Sequence, residues 1–406
     1  MAERMILHVD LNNFYASVEC LSRPELKEVP MAVTGSVEER HGIILAKNEL
    51  AKACGVRTAE TVWQAKRKCP GLLCVPPHHE KYAYYSSLTR EIYRQFSDRV
   101  EAFSLDEAWL DLSGFAGTPE ETGDLVRETV KQQLGLTVSV GVSFNKVFAK
   151  LGSDMKKPDG TTVIGRENYR EKVWPLPVQE LLYVGQVTRK RLNEIGIFTI
   201  GQLAAAQDAV IERQLGKCGV MLLAYARGED RSEVEAEGET VKSVGNSATA
   251  PRDLNSEEEV QAMLYALSES VAARLRRHGL LGSTVCLSVR DTAFRTISRQ
   301  AQLSRPTRLS QEIAQSAMQL FRRHYRWNLP VRAVGVSVSS LTSETEDCQI
   351  DCFAEEQERR AAQEKLESAI DRLRERYGKG AVLRGCVMKS DLAGQCLEDT
   401  EKEGKE

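Results

Sequence analysis

The sequence lacks the features of a secreted, membrane-spanning or zinc-stapled protein. Its 406 residues include ten cysteines, and no two of them stand in a C-x-x-C spacing; this argues against a disulfide framework and a structural zinc site. No apolar run reaches the roughly 18 residues of a membrane span, and the N-terminal segment has no apolar stretch typical of a secretory signal. We therefore expect a soluble, cytoplasmic protein with no membrane partner.

The composition is that of an ordinary globular protein. Hydrophobic residues make up 42% and charged residues 28% of the chain, which excludes wholesale disorder. At about 150 residues per domain, the length predicts roughly two to four domains. The chain is thus long enough to bury several hydrophobic cores.

Charge is distributed unevenly along the chain, although the net value is only −3. Residues 241–340 contain 14 Lys and Arg against 7 Asp and Glu, a balance of +7, whereas residues 341–406 contain 11 against 17, a balance of −6. A basic module beside an acidic tail is typical of a protein that meets polyanions through one module. A solvated, arginine-rich surface is the alternative.

Hydrophobic periodicity divides the chain into stretches of different character. The first 165 residues alternate strands and helices in a βαββαβ-like order, which predicts an antiparallel or mixed sheet backed by helices. Short helices separated by glycines then predict a small all-α module, and the polar residues 229–242 predict a linker. Residues 244–341 predict a second α+β unit of two helices and three strands, and residues 354–377 a charged helix beyond any obvious core.

Three carboxylates stand where neighbouring strands would bring them together. Asp10 ends the first predicted strand, and Asp106 and Glu107 form the predicted turn between two later strands. Hard oxygen ligands of this kind suit Mg²⁺, and two such ions about 3.5–4 Å apart can activate an attacking oxygen and stabilise a leaving one. Acids that only cap turns on a solvated sheet edge are the alternative.

Three motifs contain or follow these carboxylates. They are DLNNFYASVE at 10–19, FSLDEAWLD at 103–111, and VGVSFNKVFAK at 140–150 followed by KPDG at 157–160. In this order they resemble the motifs of Y-family translesion DNA polymerases, in particular the DinB or DNA polymerase IV branch, and the resemblance extends from residue 5 to about residue 341.

The resemblance implies an α+β multidomain fold, a right-hand polymerase with palm, fingers and thumb plus a C-terminal α+β little-finger domain. The implied boundaries are palm 1–12 and 79–165, fingers 13–78, thumb 166–230, linker 231–243, little finger 244–341 and tail 342–406. It also implies a monomeric, Mg²⁺-dependent, template-directed DNA polymerase that acts in DNA repair and replication of damaged DNA. No separate exonuclease-sized region is seen, so we expect no proofreading.

Site residues follow by position from the same resemblance. Asp10 and Asp106 would bind two Mg²⁺ ions with the carbonyl of Leu11, and Glu107 would be the remaining catalytic and metal-binding carboxylate near the primer 3′-hydroxyl. Many relatives have Asp at Asn12, whose amide carries no charge, so we assign no metal to it.

Four further residues are expected to face the incoming deoxynucleoside triphosphate. Tyr15 would stack under the sugar and exclude a 2′-hydroxyl, next to Phe14, which we expect mainly in the core. Lys157 and, in the fingers, Lys52 would meet the triphosphate. Lys52 stands where the family has Arg. Glu49 stands where the family has Tyr, and we assign it no role. Packing for the rings and a solvated helix face for Lys52 and Glu49 are the alternatives.

Contacts to the primed DNA template are expected from the thumb and the little finger. Gly185 lies where relatives carry a Gly-x-Gly hairpin whose amides meet a phosphate, although Val187 replaces the second glycine. Phosphate contacts would come from the little-finger arginines, namely Arg290, Arg295, Arg299, Arg305 and Arg332. An ordinary helix connection is the alternative for Gly185.

The segment Gln349-Ile350-Asp351-Cys352-Phe353 resembles the short Gln-x-x-Leu-Phe peptide that bacterial polymerases insert into the sliding clamp. Cys352 replaces the usual leucine, and a plain linker is the alternative. Two rival functions remain for the whole chain. A nucleotidyl cyclase on a similar palm would not need the basic module, and a catalytically dead scaffold would not need Asp10, Asp106 and Glu107.

Overall fold

The computed structural model describes residues 4–36, 42–236, 241–343 and 354–385. The chain divides into two compact units, the first comprising residues 1–35 and 43–238 and the second residues 36–42 and 239–406. Among the described helices, none combines the length and apolar character needed to cross a bilayer.

The first unit contains eight strands and eleven α-helices among its described residues. The strands are β1 (Ile6–Leu11), β2 (Met31–Thr34), β3 (Ile44–Lys47), β4 (Leu73–Val75), β5 (Val100–Ala102), β6 (Glu107–Asp111), β7 (Val138–Ser143) and β8 (Thr161–Ile164). The helices are α1 (Phe14–Ser22), α2 (Glu49–Ala53), α3 (Val62–Lys68), α4 (His79–Arg94), α5 (Pro119–Leu134), α6 (Lys146–Met155), α7 (Tyr169–Lys172), α8 (Gln186–Glu194), α9 (Ile200–Ala204), α10 (Asp208–Leu215) and α11 (Lys217–Ala226).

A five-stranded sheet in the order β5-β6-β1-β7-β8 forms the palm. Only β7 and β8 pair in parallel, so the expectation of a mixed sheet is confirmed. Every residue of β1 and of β7 is buried, because helices cover both faces of these central strands. One face packs on α4 and α5 through Leu7, Val9 and Leu110, and the other face meets α6.

Two smaller assemblies complete the first unit. The fingers are a three-stranded sheet in the order β3-β2-β4 with α2 and α3, and Asn48 and Thr61 cap the N-termini of these two helices through their side chains. The thumb is the expected cluster of short helices, α7 to α11, around a core that includes Leu192, Ile200 and Leu223.

The second unit is a four-stranded antiparallel sheet packed on two long helices. Its elements are β9 (Ser243–Leu254), α12 (Glu257–Arg277), β10 (Leu280–Asp291), β11 (Thr296–Thr307), α13 (Ser310–His324), β12 (Val331–Ser343) and α14 (Ala354–Tyr377). The sheet order is β11-β10-β12-β9. The edge strand β9 was not among the three expected strands, and Arg295, expected on a strand, lies in the turn between β10 and β11.

The expected helix α14 forms, but it is not remote from the core of its unit. It packs against α12, and Glu367, which is 5% exposed, accepts hydrogen bonds from Arg276, from the Ser310 hydroxyl and from the Ser310 backbone N–H. A buried carboxylate needs such partners, since an unpaired buried charge is costly. The described part of the helix adds no residue to the hydrophobic core, as expected, but polar contacts join it to α12 and α13.

Candidate active site

The three candidate carboxylates meet at one end of the palm sheet. Asp10 lies one residue before the end of β1 and pairs directly with Glu107, the first residue of β6. The backbone N–H of Leu11 donates to the carbonyl of Asp106 at 2.9 Å. The tight turn was expected at Asp106 and Glu107. In the structure, residues 103–106 connect β5 to β6, so Glu107 belongs to the sheet itself.

Asp10 is 6% exposed and bonds to a lysine that follows α6 in the chain. The Lys157 ammonium donates to Asp10 Oδ2 at 2.7 Å and lies 2.7 Å from Asp154 Oδ1. Burial raises the pKa of Asp10 to about 7; Glu107 and Asp106 add to this rise, and Lys157 opposes it. Mutual repulsion of the clustered carboxylates is thus part of the site, and an additional cation would relieve it.

Glu107 experiences the opposite balance. Burial alone would raise its pKa, but contacts with His8 and Lys150 outweigh burial and hold the pKa at about 2. His8 Nε2 lies 3.4 Å from Glu107 Oε2, and Lys150 contacts the same oxygen. Because its pKa is low, Glu107 stays ionised at neutral pH. The third carboxylate, Asp106, accepts a hydrogen bond of 2.6 Å from the Ser104 hydroxyl.

The oxygen donors fit a hard divalent cation by their chemistry, because carboxylates and a backbone carbonyl are typical Mg²⁺ ligands. In the described part of the chain, no three or more His, Cys, Asp or Glu side chains are arranged to hold a metal. Lys157 and Lys150 are paired with Asp10 and Glu107 instead. Asn12 turns its amide oxygen to the Ser139 hydroxyl at 2.8 Å.

The two aromatic residues after β1 have different surroundings. Phe14 is 3% exposed and lies in the palm core, whereas Tyr15 is half-buried. The Tyr15 ring stacks on Tyr82 of α4 with centroids 4.1 Å apart and an interplanar angle of 11°. Tyr82 in turn donates to the fully buried Glu19 at 2.7 Å. Tyr82 is distant from Tyr15 in the sequence, and no sequence signal links the two rings.

In the fingers, Lys52 and Glu49 share the short helix α2. Glu49 Oε1 accepts from the Asn13 side chain at 2.8 Å and lies 3.4 Å from the Lys52 ammonium. Asn13 adopts a left-handed conformation, with φ of 51°, immediately before α1. Glu49 therefore points toward the start of α1, and Lys52 stays nearly half exposed.

The candidate DNA-contacting residues lie in both units, and all are exposed except Arg305 and Arg332, which are partly buried. Gly185 precedes α8, and a Cβ built on it would meet no atom within 4 Å. Arg290, Arg295 and Arg299 are exposed, Arg332 covers the exposed Phe294 ring at 4.8 Å, and Arg305 lies 4.0 Å from Glu312. The clamp-like residues Gln349, Ile350 and Phe353 lie outside the described residues.

Family models match both units of the chain. The model of the impB/mucB/samB family matches residues 9–154, and the model of the C-terminal domain of that family matches residues 241–352. The two matches together span more than half of the chain.

Curated relatives align over nearly the whole length. The chain is 50% identical over 393 residues to DNA polymerase IV of Acetivibrio thermocellus, covering 95% of this chain and 98% of that relative. It is 36% identical over 392 residues to DNA polymerase IV 1 of Bacillus subtilis, covering 96% and 94%. In fold it is similar to the solved Y-family DNA polymerase chimera Dbh-Dpo4(243-245)-Dbh, with a TM-score of 0.75, 22% identity, and coverage of 84% of this chain and 99% of that one.

Proposed function

The chain belongs to the impB/mucB/samB family of Y-family DNA-directed DNA polymerases, and we propose that it extends a primer 3′ end on a DNA template by two-metal nucleotidyl transfer. The observation that carries this proposal is the convergence of Asp10, Asp106 and Glu107 at one end of the palm sheet. Template-directed synthesis past damaged bases and without proofreading is part of the proposal.

The residues that would hold two Mg²⁺ ions are Asp10, Asp106, Glu107 and the carbonyl of Leu11. When bound, the ions would offset the negative charge that develops during attack of the primer hydroxyl on the α-phosphate. The chain itself contributes the lysines. Lys157 carries a positive charge beside Asp10, and Lys52 is exposed on the fingers, so both are available to a triphosphate.

Sugar selection is assigned to Tyr15. The stacked Tyr82 ring fixes the plane of the Tyr15 ring, and a rigid ring beneath the sugar leaves no room for a 2′-hydroxyl. We expect Tyr15→Ala to raise ribonucleotide insertion at least tenfold relative to deoxynucleotide insertion. Unchanged discrimination in single-nucleotide insertion assays would show that another group excludes the hydroxyl.

Binding of the primed template is assigned to the helix start at Gly185 and to the little-finger arginines. Open space at Gly185 lets the N–H groups of the first turn of α8 approach a phosphate. Arginines on a sheet bind phosphates without reading sequence, which suits an enzyme that accepts any template. A sliding clamp would bind Gln349, Ile350 and Phe353.

Primer extension on a primed DNA template with Mg²⁺ and four deoxynucleotides tests the function directly. Wild-type protein should extend the primer, and Asp106→Ala should lose extension while it still binds the primed DNA in a gel-shift assay. If wild type binds primed DNA but does not extend it, the catalytic proposal is refuted, and a scaffold that recruits other polymerases takes its place.

A further inference from the structure

Helix α6 supports Glu107 from beneath the palm sheet. Lys150, on the second turn of α6, contacts Glu107 Oε2, and its side chain is only 16% exposed. The Lys150 ammonium also lies 4.9 Å from the centre of the Phe103 ring. This lysine is therefore confined between one carboxylate and one aromatic face.

His8 borders the same carboxylate from β1. His8 Nδ1 shares a hydrogen bond of 2.8 Å with the Ser153 hydroxyl, which also lies 2.8 Å from the carbonyl oxygen of Lys150. That bond fixes the ring with Nε2 facing Glu107 Oε2 at 3.4 Å. His8 is fully buried and packs edge-on against Trp109. The Glu107 carboxylate therefore lies between the fixed ring of His8 on one side and the confined ammonium of Lys150 on the other.

A neighbouring lysine provides a matched comparison. Lys146 lies one helical turn before Lys150, is 12% exposed, pairs with Glu101 at 2.5 Å and lies 4.7 Å from the centre of the Trp109 ring. Its surroundings closely resemble those of Lys150, but its carboxylate partner is on β5, outside the acid cluster. Comparing variants of the two lysines therefore distinguishes a general effect on the fold from a specific effect on the Glu107 carboxylate.

We propose that Lys150 is a positioning residue that holds the Glu107 carboxylate in one orientation at the end of the palm sheet, against the fixed ring of His8. The proposal rests on the assigned role of Glu107 in primer extension. A glutamate released from this lysine regains most of its rotamer freedom, which is worth about a tenfold loss in the fraction of productive conformers. The loss should appear in the rate of nucleotide addition and leave nucleotide affinity alone.

The test compares Lys150→Met, Lys150→Arg and the control Lys146→Met by single-turnover nucleotide insertion. We expect Lys150→Met to lower the maximal insertion rate at least tenfold and Lys150→Arg, which keeps the charge, to recover most of it. Lys146→Met should stay within about threefold of wild type. Affinity for a deoxynucleotide with Ca²⁺, measured by fluorescence on primed DNA, should change less than threefold in all three variants.

Two further measurements decide between positioning and general destabilisation. Lys150→Met and Lys146→Met should lower the thermal unfolding temperature by similar amounts, and Lys150→Met should cost little more activity in a Glu107→Gln background. If Lys150→Met does not fold, Lys150→Gln replaces it in every comparison.

A wild-type insertion rate in Lys150→Met, or an equal loss in Lys146→Met, would overturn the proposal. A full additional loss in the Glu107→Gln background would do the same. An active wild type with an impaired Glu107→Gln variant shows that the proposed function stands, so its failure is distinguishable from failure of this inference.

Discussion

Gly141 is the position where a single methyl group should do the most damage to the palm. It lies in the middle of β7 beneath α6, and a Cβ built on it would be 1.9 Å from the carbonyl oxygen of Ala149 and 2.4 Å from the backbone nitrogen of Ser153. These two atoms are four residues apart in α6, the spacing of one helical hydrogen bond. The methyl group of Gly141→Ala would therefore enter the backbone of the helix.

The size of the effect follows from the overlap. A carbon and a carbonyl oxygen approach to roughly 3.3 Å, so the 1.9 Å contact is short by about 1.4 Å. The neighbouring atoms are backbone and cannot rotate away; α6 must shift or lose a hydrogen bond. Overpacking of a close-packed core costs about 1–3 kcal/mol and occasionally more, and we expect Gly141→Ala to cost about 3 kcal/mol or more.

Denaturant unfolding of the full chain measures this cost, with two glycine controls. A Cβ on Gly152 would meet its nearest atom at 3.1 Å, and one on Gly71 would meet nothing within 4 Å. The expected order of destabilisation is Gly141→Ala, then Gly152→Ala, then Gly71→Ala with almost none. An effect of Gly141→Ala below about 1 kcal/mol, or equal to that of Gly71→Ala, would refute the close packing of α6 on β7.

Three other predictions test separate parts of the molecule. Hydrogen bonds outweigh burial and hold the pKa of Glu19 below its usual value. The stabilising contribution of this carboxylate is therefore present above about pH 4.5 and is lost as the pH falls. Glu19→Gln should lower the free energy of unfolding by about 1–3 kcal/mol at pH 7, and the free energy of unfolding should then fall less steeply in acid. Tyr82→Ala removes the ring stacked on Tyr15 and should raise ribonucleotide insertion, though less than loss of Tyr15 itself, in the same insertion assay. Glu367→Gln should destabilise the little finger by about 3 kcal/mol in denaturant unfolding, whereas Glu257→Gln, in an exposed pair, should cost about 0.5 kcal/mol or less.

The central elements could be predicted because their sequences are unambiguous. The first expected strand, which ends at Asp10, matches the end of β1 within one residue, and the expected helix at 354–377 matches α14. Runs of apolar residues without charges define strands buried on both faces, and a long stretch rich in Glu, Arg and Ala favours a helix. Asp10 was found in the same way, since the predicted apolar strand ends on this charge.

The missed strand β9 shows where pattern alone fails. Its sequence, SVGNSATAPRDL, is rich in small and polar residues, contains Pro251, and does not alternate regularly. Such a strand forms because β12 supplies a ready hydrogen-bonding partner along residues 331–339. Its place at the sheet edge tolerates the proline, which has no N–H to donate. Tertiary pairing thus outweighed local preference.

The lysines that pair with the acidic residues could not be predicted from the sequence either, because these pairs depend on how α6 is placed on the sheet. The pairs are Lys146 with Glu101, Lys150 with Glu107 and Lys157 with Asp10. Lys146 and Lys150 are one turn apart on the same helix face, and Lys157 follows the end of α6. Of these lysines, only Lys157 contacts Asp10 and is as much as 30% exposed, while the other two are confined beside aromatic rings. An anionic triphosphate that reaches the site would therefore draw Lys157 away from Asp10 and leave Glu107 held in place, so substrate binding would free one carboxylate and keep the other fixed.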